Sequence, residues 1–237
     1  MSNMSSTGWR LLLAGAAGVA AAGAVPAGVS AADLAAAPAP ASATALPDPS
    51  WYVRLGVGGV LFDSGATINS SIGPVTGASA HADNNVTALF EVGYFFTDNI
   101  AVSLTGGYPP TTSLTGTGTA TALGTLGKVT YGPATLTAHY HFKNFGPIQP
   151  YLGVGLGYGL IFNSTSGAVQ NLSVNGAPAF VLQAGVDYIL ARNWAVFVDV
   201  KKLYLSVDAT GTLGGMPISA DVKLDPLVLF TGVTYRF

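Results

Sequence analysis

The last eleven residues of the sequence, 227–237, read LVLFTGVTYRF. Counted back from Phe237 in steps of two, one set of residues is apolar or aromatic except for Thr231, whereas the other set mixes glycine, threonine and arginine with apolar residues. Successive side chains of a β-strand point to opposite faces, so one face of a strand here would be apolar. A tilted strand of about ten residues crosses a bilayer core of about 30 Å. The stretch therefore predicts a membrane-crossing β-strand.

The end of this strand also suggests how the protein is assembled. Val233, Tyr235 and Phe237 share the apolar face, and an aromatic residue closes the sequence two positions after another one. This arrangement resembles the signal by which outer-membrane barrels are recognised for assembly. We therefore expect the barrel assembly machinery and outer-membrane lipid, including lipopolysaccharide, to be partners.

The composition supports a barrel and excludes several other classes. Charged residues make up only 8% of the chain, against about 25% in a soluble domain. A spanning helix needs a run of ~18 apolar residues, and beyond the N-terminal region polar residues and glycine keep every apolar stretch shorter than that. Apolar residues that alternate with polar ones in this way are typical of transmembrane strands. The absence of cysteine excludes disulfides and thiolate chemistry. A net charge of -2 without a basic cluster argues against nucleic acid, and we expect no cofactor and no metal.

The N-terminal region predicts export. Arg10, the apolar run 11–24 and the small residues at 29–32 have the order of a signal peptide over residues 1–32. A retained membrane anchor is the alternative, because residues 11–32 carry no charge. Residues 33–50 are rich in alanine and proline and predict an extended periplasmic tail. Residues 51–237 would then form the barrel in the bacterial outer membrane.

Alternating stretches separated by turn residues predict an all-β fold, an eight-stranded antiparallel transmembrane β-barrel. Its connections are alternately long and short, as expected for short periplasmic turns and long extracellular loops. A soluble ligand-binding barrel would place its apolar row inside, but the chain has too few charges to coat such an exterior. The predicted strands are residues 51–62, 86–96, 100–108, 129–142, 149–162, 179–190, 194–208 and 220–237.

With the apolar rows facing lipid, the opposite rows fill the lumen. Towards the periplasmic end this inward set carries charges of both signs, which predicts a closed floor of ion pairs. The proposed floor residues are Arg54, Glu91, His139, His141, Asp187, Asp199, Lys201 and Arg236. Towards the outer end the inward set becomes apolar. The proposed apolar path residues are Leu89, Ile161, Val181, Val228 and Phe230.

Two interpretations of this apolar set remain open. A dry pocket would accept hydrophobic molecules, since burial of apolar area contributes about 25 cal/mol per Å². The same residues would equally serve only to fill the barrel of a membrane anchor. In the seventh predicted strand it is open which residues face the lumen beyond Lys201. Regular alternation would turn Lys202 towards lipid, whereas a bulge after Lys201 would turn it inward.

At this point the chain resembles the outer-membrane protein W (OmpW) family of small barrels, over residues 51–237. The resemblance rests on the order and spacing of several short segments. They are 51–56 (WYVRLG), 95–102 (FFTDNIAV), 136–142 (LTAHYHF), 149–155 (QPYLGVG), 187–188 (DY), 193–194 (NW), 225–226 (DP) and 234–237 (TYRF).

The resemblance implies a hydrophobic lumen that carries small hydrophobic compounds inward and releases them sideways into the membrane. Proline removes a hydrogen-bond donor from a strand ladder. Pro133 and Pro226 are therefore candidate positions for a gap in the wall, although proline also commonly marks only the start of a strand.

Two other classes of function compete with a channel. A lipid-modifying enzyme would need a nucleophile within reach of His139 or His141; we expect no serine nearby on their face and therefore no enzymatic activity. A metal site at this pair would lack an evident third ligand. The remaining alternative is a non-transporting anchor, or a surface receptor whose loops a phage or toxin recognises.

Overall fold

The computed structural model describes residues 50–71 and 73–237, so the predicted signal peptide and nearly all of the predicted tail lie outside the described residues. Among the described residues, no helix is long and apolar enough to span a membrane. Two short 3₁₀ helices, Thr121–Leu123 and Lys143–Phe145, lie in connections. The strands are β1 (Ser50–Leu61), β2 (Gly65–Ser70), β3 (Gly73–Pro74), β4 (Ala78–Ala82), β5 (Asn85–Phe95), β6 (Ile100–Gly107), β7 (Thr111–Gly118), β8 (Thr125–His141), β9 (Ile148–Ser166), β10 (Gln170–Val174), β11 (Ala177–Ile189), β12 (Trp194–Tyr204), β13 (Ser206–Leu213), β14 (Met216–Lys223) and β15 (Leu227–Arg236).

Eight of these strands form a closed antiparallel barrel. Its order is β1, β5, β6, β8, β9, β11, β12 and β15, each paired with the next, and the β1–β15 pairing closes it. The three connections at one end are short (96–99, 142–147 and 190–193), and the four at the other end are long. We call these the short-turn end and the long-loop end. The predicted fold class is confirmed.

The last two predicted barrel strands were too long. Residues 194–208 divide between β12 and β13 at Leu205, and residues 220–237 divide between β14 and β15 at 224–226. Pro226 lacks an N–H group, and the Asp225 carboxylate accepts the backbone N–H of Leu205 at 3.1 Å. The chain leaves the barrel sheet at both breaks, and β13 and β14 join a second sheet.

A bulge after Lys201, which would turn Lys202 away from lipid, is absent from the described pairing. The β12–β15 register is regular from Trp194 to Lys202, and burial continues to alternate beyond it. Lys202 therefore stays on the outward row. Its Nζ donates to the backbone oxygen of Asp225 at 2.5 Å and lies 5.9 Å from the centre of the Tyr204 ring.

The long connections, predicted as loops, are largely strands. β4, β7 and the outer parts of β8 and β9 extend the barrel sheet, whereas β10, β13, β14, β2 and β3 form a five-stranded second sheet. Small residues carry much of the apolar packing here, so the sequence signal for these strands was weak. The buried cluster in this region is Ala80, Ala82, Leu114, Leu126, Val129 and Val169.

Apolar side chains cover the outside of the barrel, and aromatic rings collect at the short-turn end. Leu55, Leu152 and Val198, for example, are 59%, 59% and 54% exposed. Neighbouring rings at the short-turn end lie 4.9 to 5.1 Å apart, as expected of a girdle at the membrane interface. The paired rings are Trp51–Tyr94, Tyr94–Phe96, Tyr140–Phe142, Trp194–Tyr235 and Tyr235–Phe237.

Closure of the barrel depends on a pair of glycines. Gly56 of β1 lies opposite Gly232 of β15. A Cβ added at Gly56 would lie 1.9 Å from the carbonyl oxygen of Thr231, and one added at Gly232 would lie 2.0 Å from that of Leu55. Because these neighbours are backbone atoms, the two strands can approach this closely only without side chains at both positions.

We predict that Gly56→Ala lowers the free energy of unfolding by at least about 2 kcal/mol, because overpacking here must displace backbone. Gly59→Ala in the same strand is the matched control, since a Cβ there meets nothing within 4 Å. Urea-induced unfolding in lipid vesicles measures both variants. Equal stability of the two would contradict the role given to the glycine pair.

Candidate functional site in the barrel lumen

A layer of charged side chains closes the lumen towards the short-turn end. Three described cations and three described carboxylates lie in it, and none is more than 8% exposed. Burial of unpaired charges would be very costly, so each must find a partner inside the barrel. We call this layer the polar floor. Its charged members are Arg54, Lys201, Arg236, Glu91, Asp187 and Asp199.

Arg54 lies at the centre of the polar floor. One terminal nitrogen, Nη1, donates to Glu91 at 2.9 Å, and Nη2 donates to both oxygens of Asp187 at 2.8 and 2.9 Å. The guanidinium carbon also lies 4.9 to 5.0 Å from the ring centres of Tyr52, Tyr151 and Phe197. The planar fork of arginine suits this combination of carboxylate pairing and aromatic contact.

Lys201 and Arg236 complete the charge balance. Lys201 Nζ lies 3.1 Å from a Glu91 oxygen and 2.7 Å from an Asp199 oxygen. Arg236 Nη2 lies 3.2 Å from Asp187. Each carboxylate is thus shared or supported by further donors, and the layer has no net charge when its histidines are neutral.

Two tyrosines reach the polar floor across glycines. Tyr52 lies opposite Gly93, and Tyr151 lies opposite Gly185. A Cβ added at Gly93 would lie 2.1 Å from the Tyr52 ring, and one added at Gly185 would lie 2.4 Å from the Tyr151 ring. Each ring therefore lies directly over its glycine. Tyr52 donates to Glu91 at 3.2 Å and Tyr151 donates to Asp199 at 2.6 Å.

The two predicted histidines are in contact inside the same layer. His139 Nδ1 lies 2.8 Å from His141 Nε2, and His141 Nδ1 lies 3.6 Å from Asp187. The expectation that no serine shares their face was wrong. The Ser103 hydroxyl lies 3.1 Å from His139 Nε2, because β6 pairs with β8 and turns this residue inward.

Contact between a serine and a histidine does not make this pair accessible. Ser103 is 1% exposed and His139 is 3% exposed. The Ser103 hydroxyl also contacts that of Thr137 at 3.1 Å, and His139 Nε2 contacts the hydroxyl of Tyr52 at 3.1 Å. Among the described residues, no group of three potential metal ligands was found.

Above the polar floor the lumen is apolar and nearly filled. Leu89, Val181 and Phe230 are at most 3% exposed and pack in one buried cluster. Ile161 and Val228 line a cavity of about 60 Å³. We call this space the lumen cavity. Its described lining contains no charged residue and also includes Val60, Tyr131, Pro133, Leu203, Val207, Val222 and Pro226.

Several polar residues of the floor were missing from the predicted set. Tyr52 lies two residues before Arg54, and Thr234 lies two residues before Arg236. The alternation of faces along a strand therefore already placed both side chains in the lumen. Thr105 donates to Glu91 at 2.7 Å, and Thr234 accepts from Arg54 Nε at 3.3 Å. Threonine carries no charge and also occurs on the lipid-facing row, as at Thr231, so its position at the floor was not evident from the sequence.

The fold and the closed polar layer define the class: a small outer-membrane β-barrel with an apolar outer lumen. The sequence profile of the OmpW family matches residues 49–237, and the chain belongs to that family. The short-turn end of such barrels faces the periplasm and the long-loop end faces outward.

Individual relatives agree with this assignment. The chain is 36% identical over 197 residues to the dibenzothiophene metabolism operon protein PahQ of Pseudomonas aeruginosa, covering 83% of this chain and 93% of that protein. It is 36% identical over 172 residues to the outer membrane protein AlkL of Ectopseudomonas oleovorans, covering 72% and 74%. The solid-state NMR structure of AlkL in lipid bilayers matches with a TM-score of 0.64 at 32% identity, over 79% of this chain and 90% of that chain.

We predict that Arg54→Met lowers the free energy of unfolding by about 3–5 kcal/mol, because it leaves buried carboxylates without a central cation. Adding Asp187→Asn to this variant should recover part of the loss by restoring the charge balance. Lys143→Gln is the control, since its ion pair with Asp98 at 3.3 Å is partly exposed and should contribute about 0–1 kcal/mol. Urea-induced unfolding in vesicles measures all three; an Arg54 variant as stable as the control would contradict the central role of this residue.

Proposed function

We propose that this protein is an outer-membrane channel for the uptake of small hydrophobic molecules. The observation that carries the proposal is the lumen cavity, whose described lining is almost entirely carbon and which lies above a charge-balanced polar floor. A hydrophobic solute would gain about 25 cal/mol for each Å² of apolar area removed from water there. A sugar or an ion would lose hydration without compensation.

One relative supports the chemical class. PahQ is described as belonging to a dibenzothiophene metabolism operon. Dibenzothiophene is an uncharged aromatic compound, and a barrel that admits such compounds would serve their metabolism. Aromatic hydrocarbons and their heteroaromatic analogues are accordingly the first candidates for the solute.

The polar floor directs the solute sideways in this proposal. Pro133 of β8 pairs with Gly159 of β9, and both residues line the lumen cavity. The N–H group that Pro133 lacks would face the β6 side of the strand, because the N–H groups of Tyr131 and His141, an even number of residues away, donate to Pro110 and Asn99 on that side. The wall between β6 and β8 is therefore the candidate for release into the membrane. Pro226 also lines the cavity, but its carbonyl accepts the backbone N–H of Leu203 at 3.0 Å, which makes it the weaker candidate.

Export and assembly complete the proposal. Residues 1–32 would act as a cleaved signal peptide and residues 33–50 as a periplasmic tail, whose last residue, Ser50, already belongs to β1. Val233, Tyr235 and Phe237 lie on the outward side of β15 at the short-turn end, which suits recognition by the barrel assembly machinery. Lipopolysaccharide is the proposed partner around the long-loop end, and neither a cofactor nor a nucleic acid has a role.

Catalysis has no part in the proposed function. The His139–Ser103 contact lies in the polar floor, and both side chains are almost completely buried. A lipid substrate would have to open the barrel to reach them. A non-transporting receptor for a phage or toxin is the alternative, favoured by the small volume of the lumen cavity, about 60 Å³.

Transport distinguishes these functions. We predict that the protein accelerates the arrival of N-phenyl-1-naphthylamine at the inner phospholipid of intact Gram-negative cells, because the lipopolysaccharide leaflet retards hydrophobic solutes. Reconstituted vesicles should show no faster influx of arabinose than protein-free vesicles. Fluorescence and vesicle swelling measure the two rates. Unchanged rates for both probes would favour the receptor; faster arabinose influx would show that the floor is open.

Substitutions in the apolar layer provide the specific test. Phe230→Arg and Leu89→Glu should reduce probe uptake to the rate of cells without the protein, because each places a charge on the path. Phe230→Leu should keep most of the activity, since it preserves the apolar surface. Heat-dependent electrophoretic mobility checks that all variants form barrels. Full uptake by folded Phe230→Arg and Leu89→Glu would contradict a path through the lumen.

A further inference from the structure

A larger cavity lies beyond the lumen cavity, between the two sheets of the long-loop end. Its volume is about 310 Å³. One wall comes from β4, β7, the adjoining 3₁₀ helix and β8, and the other from β2, β10, β13 and β14. We call it the outer chamber. Representative lining residues are Ile68, Ala80, Leu126, Leu172, Leu213 and Ala220.

The outer chamber has the lining of a site for uncharged hydrophobic molecules. Its described lining contains no charged residue, and its polar members are Thr119, Thr210 and Ser219. Apolar cavities of about 150 Å³ remain dry and bind benzene. The outer chamber has about twice that volume, so its size suits two or three fused rings or a hydrocarbon of similar bulk.

Three buried side chains separate the outer chamber from the lumen cavity. Leu114, Ala209 and Val222 line both spaces, and each is at most 9% exposed. Leu114 belongs to the barrel sheet, whereas Ala209 and Val222 belong to the second sheet. We call these three residues the neck.

The volumes on the two sides of the neck differ sharply. The lumen cavity, at about 60 Å³, is less than half the ~150 Å³ that accepts a benzene molecule. A ring compound held in the outer chamber therefore cannot continue inward until the neck and the residues below it repack. Capture and passage are thus separate steps at separate places.

We propose that the outer chamber is a capture site for uncharged compounds of about two or three fused rings, and that Leu114, Ala209 and Val222 set the size limit for their passage. The proposal rests on the proposed uptake function and adds a binding site outside the membrane-spanning part. Hydrophobic solutes accumulate in the chamber because it removes their apolar surface from water. The neck then selects by bulk.

Binding is tested with the full protein in lipid nanodiscs and naphthalene as the probe. Methyl NMR signals of Ile68, Leu172 and Leu213 should shift and saturate, whereas those of lipid-facing Leu104 should change only in proportion to naphthalene dissolved in the lipid. Ala220→Phe fills the chamber and should weaken binding at least about tenfold. Thr67→Phe, on the exposed side of neighbouring β2, should change it less than about twofold.

Two results would overturn the capture site. One is the absence of saturable shifts at the chamber methyl groups. The other is naphthalene affinity unchanged by Ala220→Phe in a barrel whose methyl spectrum shows it to be folded.

The neck is tested by uptake. Ala209→Leu should reduce cellular uptake of N-phenyl-1-naphthylamine at least about fivefold, because an enlarged side chain narrows a packed contact. Because Ala209 also lines the outer chamber, naphthalene affinity is measured in the same variant, and uptake should fall by more than the affinity does. Leu114→Ala should instead raise the uptake of four-ring pyrene relative to N-phenyl-1-naphthylamine. Normal uptake by Ala209→Leu, or an unchanged pyrene ratio for Leu114→Ala, would refute the size limit.

The same measurements separate this inference from the function on which it rests. Wild-type uptake without saturable chamber binding would refute the capture site and leave the channel function standing. Saturable binding without any wild-type uptake would refute the channel and show the chamber to be the ligand site of a receptor.

Discussion

The ion-pair network centred on Arg54 is the constraint on which the rest of the lumen depends. A barrel of eight strands encloses little space, and charges inside it have no bulk water to solvate them. Arg54 joins Glu91 to Asp187, and Lys201 joins Glu91 to Asp199. With the charges balanced and hydrogen-bonded in this way, the layer fills the lumen at this level and links the strands around it.

The apolar exterior and the apolar outer lumen both follow from the alternation of side chains between the two faces of each barrel strand. Outward rows face lipid along the whole barrel, whereas inward rows change from charged to apolar between Lys201 and Leu203. Beyond that change the inward rows enclose carbon-lined space, first the lumen cavity and then the outer chamber. Whether a level of the lumen is charged or hydrophobic thus depends on which residues the alternation along each strand turns inward.

The sequence was sufficient for the barrel because transmembrane strands alternate strictly and the lipid enforces that alternation. It predicted which charged residues meet inside, since parity alone brings Arg54, Glu91 and Asp187 to one face. It did not predict the second sheet, whose strands use alanine and threonine rather than large apolar residues. Nor did it predict the breaks near Leu205 and Asp225, which depend on a tertiary hydrogen bond, or the Ser103–His139 contact, which depends on the register between β6 and β8.

Lys202, held on the outward row by the backbone of Asp225, has a consequence for membrane thickness. Trp194 marks the other border on the same row of β12, eight residues away. At about 3.3 Å per residue and a tilt near 40°, these borders are separated by roughly 20 Å along the membrane normal. That height is below the usual band of about 25 Å, so the bilayer should thin locally on this side of the barrel to avoid hydrophobic mismatch.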